Sequence, residues 1–305
     1  MPRNQLRTAA PGAARPGERR LRGAGRGEKL AAAIVQAWSR CGVSPGMLLA
    51  YRTRRGVRKV RRQGRLTLPE PVKADKRSTD SSPEEMCARY TLRKPRLADL
   101  AEALDAEVAP EDEEVYKPRY NVAPSSLGWV VVYGADRRVV RHARWNYRTG
   151  AGRLLVNIRS ETLRFGRFRE SFVTNRCAVI SDGFYEWPSD DGPPTWFHAP
   201  DDGLVLLGGL LKFSLVAGAS PTFSVLTTEP NRVVAGVHDR MPVVIESARL
   251  DDWLTGESEA TQVLMRPAPP SRLLARKVSK HVNRVKNDDP ECIAERGPDQ
   301  QGSLF

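Results

Sequence analysis

The feature that most constrains this chain is a change of texture at Met86. Residues 1–85 carry 20 Lys and Arg against 7 Asp and Glu, a net charge of +13, and the remaining residues hold 29 of each sign. All of the net charge therefore lies in a segment whose composition cannot build a core. Residues 1–28 are rich in Arg, Gly, Ala and Pro, and 51–85 are basic and polar, with Pro69, Pro71 and Pro83 interrupting any long element. Both stretches read as a disordered leader. Between them Leu30–Trp38 has the spacing of a short helix, but no second apolar segment for it to pack against. A basic chain invites a nucleic-acid reading. Here the location of the charge removes that argument for the globular part, so any DNA contact there must come from local arginines.

From Met86 onward the chain is long enough for one substantial domain, since domains typically run about 100 to 200 residues. Leu97, Leu100, Ala101, Leu104 and Val108 follow an i, i+3, i+4, i+7 spacing and predict a helix ending before Pro110. Trp129–Tyr133 and Arg138–Trp145 predict strands about a Gly-Ala-Asp turn. Thr195–His198 and Leu204–Leu207 flank Asp201-Asp202-Gly203 and predict a hairpin. Further strands are expected at Ala178–Ser181, Phe223–Thr227 and Pro242–Ile245, and a helix over Ser247–Leu254 ending at Gly256. The expected class is α+β, with a predominantly antiparallel core. The tail from Asp288 is polar, which places the domain at 86–289 and a disordered tail at 290–305.

No run approaches the roughly 18 apolar residues of a membrane span, and residues 1–28 are too rich in Arg and Gly to precede a secretory segment. The expectation is a soluble, cytoplasmic protein. Cys41, Cys87, Cys177 and Cys292 lie far apart without a Cys-x-x-Cys pair, so neither a disulfide framework nor a zinc site is suggested. No metal or other cofactor is expected, and any special cysteine must be special for its reactivity.

Four short segments are dense in reactive or arginine side chains: Met86–Tyr90, Val156–Thr162, Asp182–Trp187 and Val237–Pro242. Together they supply a thiol, an amide, a carboxylate and an imidazole, the inventory for nucleophilic capture with acid/base help. Each also has a plain structural reading. Cys87 suits a buried small hydrophobe, Asn157 a turn or cap, Glu186 a salt-bridged strand end and His238 a hydrogen-bonded structural histidine.

The joint pattern resembles the SOS response-associated peptidase (SRAP) family of abasic-site processing proteins. The resemblance runs from Met86 to about Asp289. It rests on Met86-Cys87 with Arg89-Tyr90, Tyr120-Asn121-Val122-Ala123-Pro124, Asn157-x-Arg159-x-Glu161-Thr162, Asp182-Gly183 to Glu186-Trp187, His238-Asp239-Arg240-x-Pro242, and Val285-Lys286-Asn287. It implies a single barrel-like domain with flanking helices, monomeric and nucleoid-associated, that senses abasic sites in single-stranded DNA. It also implies a stable thiazolidine with the ring-opened sugar aldehyde, formed by a cysteine exposed when the initiator methionine is removed. An α-amino group has a pKa of about 8 against about 10.4 for lysine, so its free-base fraction at neutral pH is larger by roughly two hundred-fold. Abasic-site lyase activity and reversal of the crosslink are further accompaniments that the resemblance implies.

Carried over residue by residue, the resemblance makes Cys87 the nucleophile and Glu186 the proton shuttle during imine formation. His238 assists ring opening, and Asn157 positions cysteine and sugar. Arg89, Arg159, Arg167 and Arg240 match phosphate-holding positions, with Thr227 and Trp187 beside the pocket. The chain departs from the family at Ala88, where glycine is usual. It departs again at Trp145-Asn146-Tyr147, and at Gly150, near where a tryptophan often stands. The largest departure is the leader. Inside a chain Cys87 has an amide nitrogen and cannot form a thiazolidine, so residues 1–85 are expected to lie upstream of the true start or to be cleaved off.

The last residues, Gln301-Gly302-Ser303-Leu304-Phe305, resemble the peptides by which bacterial repair proteins dock on the sliding clamp. Gln301, Leu304 and Phe305 are the expected contacts. Two other classes of function fit the same residues. A cysteine peptidase would use the Cys87 thiolate with His238 as base, and a non-catalytic single-strand binding module would tolerate loss of Cys87.

Overall fold

Trp129, Val130, Val131 and Val132 are all less than a tenth exposed, so this strand is buried on both faces. Such a continuous β-branched and aromatic run can sit only at the centre of a layered fold. Each buried Val contributes on the order of 2 kcal/mol relative to exposure. The computed structural model describes residues 89–296 except 150, 151, 165 and 215–218. The expected leader helix, Cys87 and the terminal peptide lie outside the described residues.

The strands, in chain order, are β1 (Arg89–Leu92), β2 (Ala106–Val108), β3 (Arg119–Val122), β4 (Leu127–Tyr133), β5 (Arg138–Arg144), β6 (Tyr147–Arg148), β7 (Leu154–Leu155), β8 (Asn157–Arg159), β9 (Arg176–Val179), β10 (Gly183–Glu186), β11 (Thr195–His198), β12 (Leu206–Lys212), β13 (Thr222–Thr228), β14 (Met241–Pro242), β15 (Val244–Ile245) and β16 (Leu274–Lys277). Among the described residues β16-β11-β10-β1-β3 form one antiparallel sheet. A larger sheet runs β14-β13-β12-β9-β4-β5-β2, with β8 and β15 attached to β13 and β12. A pairing of Thr222 with Arg144 joins β13 back to β5, which closes the larger sheet into a barrel.

Pleating divides the core. Tyr90, Phe184 and Phe197 of the smaller sheet pack with Val130, Val179, Phe223 and Val225 of the larger one, filling the space between the sheets. On the far face of the larger sheet lie Leu97, Leu100 and Ala101 of α1 (Leu97–Ala103), Phe172 of α2 (Arg169–Thr174), and Leu250, Trp253 and Leu254 of α3 (Leu250–Thr255). On the outer face of the smaller sheet Tyr185 and Trp196 pack on Val278, Val282 and Cys292. The α+β class and the barrel-like core match the expectation.

Three local expectations are corrected. The first helix does not reach Val108. It ends at Ala103 with Leu104 as its C-cap, Asp105 takes a left-handed φ of 47°, and Ala106–Val108 pairs in parallel with β5. Apolar residues at 106 and 108 satisfy a strand period as well as a helical one. Next, Thr195–His198 and Leu204–Leu207 are not a hairpin. The turn has the expected chemistry, with Asp201 Oδ1 accepting from Gly203 N at 3.0 Å and Asp202 left-handed, but β11 and β12 enter different sheets. Finally, the ordered chain runs past 289. Pro290–Ile293 forms a 3-10 turn capped by Asp289, Cys292 is fully buried, and Glu295 bridges to Val278.

The Asp182-Gly183 step ties the smaller sheet together. Asp182, fully buried, accepts from Thr91 Oγ1 at 2.5 Å and Arg93 N at 2.7 Å. A Cβ at Gly183 would lie 2.7 Å from the Phe197 carbonyl and against the Trp196 indole, so only glycine lets β10 and β11 approach this closely.

Candidate functional site

The carbonyl of Val156 accepts from Trp145 Nε1 at 2.8 Å, Ser224 Oγ at 2.9 Å and Val225 N at 3.1 Å, which fixes the backbone on which Asn157 follows. Trp145 is buried and stacked on Phe223 with centroids 5.9 Å apart, so the Trp145-Asn146-Tyr147 departure has a packing role. In β8, Ile158 points to the helix-covered face, which turns Asn157 to the space between the sheets, where it is 6 % exposed. Thr227 lies on that same face of the neighbouring strand, two residues beyond Val225.

Glu186 arrives from the other sheet. It closes β10, alternates with Tyr185 and so shares the inward face of Phe184, 2 % exposed. The two sheets thus turn an amide and a carboxylate toward one shared interior. Arg89 opens β1 directly opposite Tyr185, so the chain enters the smaller sheet beside the end of β10.

His238 is carried on the loop between β13 and β14. Asn231 Oδ1 accepts from Val233 N and Val234 N, and the Val234 carbonyl accepts from Val237 N and His238 N. These bonds make the loop a fixed scaffold. The backbone N–H of Arg240 donates to His238 Nδ1 at 3.0 Å, and the Arg240 carbonyl lies 3.1 Å from the same atom.

The arginines divide by what they touch. Arg240 is 9 % exposed. It donates through both terminal nitrogens to Glu161, at 2.9 and 3.0 Å, and to the Thr227 carbonyl at 2.7 Å. Arg89 donates to Asn121 Oδ1 and the Val282 carbonyl at 2.9 Å and to the Asn283 carbonyl at 3.3 Å, and lies 5.9 Å from the Trp187 ring. Trp187 Nε1 in turn donates to Asn283 Oδ1 at 2.8 Å. Arg159 is exposed at the end of β8. The Arg167 side chain, Cys87, Gln301, Leu304 and Phe305 lie outside the described residues.

Sequence reasoning gave no role to Glu161, although it stands in the Asn-x-Arg-x-Glu-Thr string. Burial works against its ionisation, but hydrogen bonds from Arg240 and from its own backbone outweigh this and hold the carboxyl below its usual range. The clasp of Asn121 and Asp288 was also unassigned. Asn121 Nδ2 reaches the carbonyls of Val282, Arg284 and Asn287, and Asp288 Oδ1 accepts from Tyr120 N and Asn121 N. A buried asparagine surrounded by backbone acceptors leaves no periodic signal.

His281, Asp289 and Cys292 place potential metal-ligand atoms within 4.8 Å of one another. They are engaged with each other and with Asn287. His281 Nε2 meets Asp289 Oδ2 at 3.1 Å, Asn287 Nδ2 meets His281 Nδ1 at 3.1 Å, and Cys292 Sγ donates to the Asn287 carbonyl. Burial pushes the Cys292 thiol up, which disfavours the thiolate a metal needs. The set reads as a hydrogen-bonded clasp. Among the described residues no helix is long and apolar enough to cross a membrane.

The sequence profile described as "SOS response associated peptidase (SRAP)" matches residues 86–285. The chain belongs to this family. Among SRAP relatives it is similar to the abasic site processing protein YoqW of Bacillus subtilis, 30 % identical over 224 residues that cover 68 % of this chain and 99 % of that protein. It is also similar to YedK of Escherichia coli, at 25 % over 221 residues with the same coverage of each. HMCES of Gallus gallus is 25 % identical over 228 residues, covering 58 % of this chain and 66 % of that protein. A solved structure from Bacteroides thetaiotaomicron shares the fold with a TM-score of 0.60 at 17 % identity, covering 69 % of this chain and all of the other.

Proposed function

We propose that this SRAP protein processes abasic sites in single-stranded DNA as part of a DNA damage response, capturing the sugar aldehyde covalently through Cys87 as an amino-terminal residue. The observation that carries the reading is that Asn157 and Glu186, on two different sheets, are both buried and alternate with residues of the opposite face, so that each turns inward, with β1 paired beside β10. Cys87 precedes Arg89 by two residues, which limits their separation to about 7 Å. The family profile begins one residue before that cysteine, which favours an active form lacking residues 1–85. The similarity to the abasic site processing proteins YoqW, YedK and HMCES supports the substrate class.

In the proposed chemistry the α-amine adds to the aldehyde carbon, the carbinolamine loses water to give an imine, and the thiolate adds to the imine carbon while the nitrogen takes up a proton. Glu186 passes the protons of the dehydration, His238 assists opening of the sugar ring, and Asn157 orients the reacting groups. Hydrolysis reverses the same steps, and β-elimination from the imine gives lyase cleavage.

Arg159 offers an exposed phosphate contact, with Arg167 on the same stretch of chain, while Thr227 and Trp187 flank the site. The terminal peptide with Gln301, Leu304 and Phe305 serves as a dock for the sliding clamp.

The decisive experiment incubates protein beginning at Met86 with single-stranded DNA bearing one abasic site. A gel shift that survives denaturation and disappears in Cys87→Ala is expected. No adduct in the parent, or one that persists in Cys87→Ala, defeats the proposal. Acetylating the α-amine separates this from peptidase chemistry, because thiolate attack on a peptide needs no free amine.

A further inference from the structure

Glu161 and Arg240 meet fork to fork, each terminal nitrogen on its own carboxylate oxygen at 2.9 and 3.0 Å. A phosphate presents the same pair of acceptors to a guanidinium. The two partners are held very differently. The Arg240 side chain is 11 % exposed and anchored on the Thr227 carbonyl, and its own backbone N–H holds His238. The Glu161 side chain is 53 % exposed on a single 3-10 turn, Ser160–Arg164, that follows β8. A second cation, the exposed Arg159, also helps keep Glu161 ionised. A fixed fork therefore holds a carboxylate that can swing into water with little disturbance, within two residues of the loop histidine.

We propose that Glu161 is a stand-in for a nucleic-acid phosphate. In the free protein it fills the Arg240 fork and keeps the guanidinium oriented. On binding, a backbone phosphate of single-stranded DNA takes its place and engages Arg240 and Arg159 together. This rests on the DNA reading above and adds an occupant and an exchange to it. Arg240 is then a phosphate contact whose availability Glu161 sets, and Glu161 tunes affinity without touching the reacting atoms.

The test measures binding of an intact oligothymidylate by fluorescence anisotropy over a salt series, with protein beginning at Met86. Glu161→Gln is expected to tighten binding about tenfold at low salt and to steepen the salt dependence by about one phosphate contact. Glu161→Asp keeps the charge but is too short to span the fork, and is expected to tighten binding as well. Because removing any nearby negative charge favours DNA, both changes are repeated with Arg240→Gln, where the gain should vanish. An equal gain in that background means general electrostatics and overturns the proposal. Weaker or unchanged binding in Glu161→Gln makes Glu161 a brace and overturns it too. Circular dichroism of each variant separates lost folding from lost binding. The Cys87-dependent adduct of the parent, assayed in parallel, shows whether the underlying DNA reading stands when the Glu161 exchange fails.

Discussion

His238 Nδ1 sits between the N–H and the carbonyl of one residue, Arg240, at 3.0 and 3.1 Å. A neutral ring accepts from the N–H and carries its proton on Nε2. Asp239 Oδ1 lies 3.4 Å from Nδ1. The backbone of Arg240 therefore fixes the seat of the imidazole.

From this seat follows the first prediction. His238→Gln should slow formation of the abasic-site adduct by about a hundredfold while leaving binding of intact DNA unaltered. Single-turnover rates are the measurement, and a variant with the parental rate would remove His238 from the chemistry.

Asn121 carries the second. Its side chain serves three carbonyls and Arg89, and it is fully buried. Asn121→Ala strands all of these groups at once and should cost about 3 kcal/mol. Urea unfolding would show it as a lowered midpoint, and a loss under about 0.5 kcal/mol would mean that water replaces the amide.

His198 sets the third. It stacks on Trp196 at 4.1 Å, and burial, with Arg276 and Arg93 nearby, pushes its pKa below the usual 6.5 despite a hydrogen bond with the Ala199 carbonyl. The unfolded chain then binds a proton more readily than the folded one. Stability is therefore complete above pH 6.5 and declines as pH falls through that value. Thermal unfolding at pH 7 and pH 5 should show a larger drop for the parent than for His198→Gln; equal drops would place the acid sensitivity elsewhere.

The terminal peptide supplies the fourth. Deleting Leu304 and Phe305 should abolish binding to the bacterial sliding clamp in a pull-down with purified proteins, with adduct formation unchanged. Undiminished capture of the clamp by the shortened chain would refute the docking role.

Legibility followed the range of the signal. The β4–β5 hairpin was readable because its alternation, its turn and its pairing partner are adjacent in sequence, and Tyr133 indeed faces Arg138. The partners of β11 and β12 were not, because a correct turn at Asp202 does not say which sheet the next strand joins. The first helix was overextended because Ala106 and Val108 fit two periods. Asn157, Glu186 and His238 are assigned through motifs, each a local string, and their roles remain part of the proposal. Glu161 was inside one of those strings, but its partner lies 79 positions away, and nothing local announces a long-range ion pair.

β1 is an interior strand, laddered to β10 on one side and β3 on the other, with Arg89 stitched to the 282–283 backbone at its first residue. Its hydrogen bonds run across the strand. A pull applied at residue 89 along the strand therefore loads both ladders in shear and together, where an edge strand would peel one bond at a time. Anything joined covalently to the chain just before this point would inherit a mechanically stiff anchor.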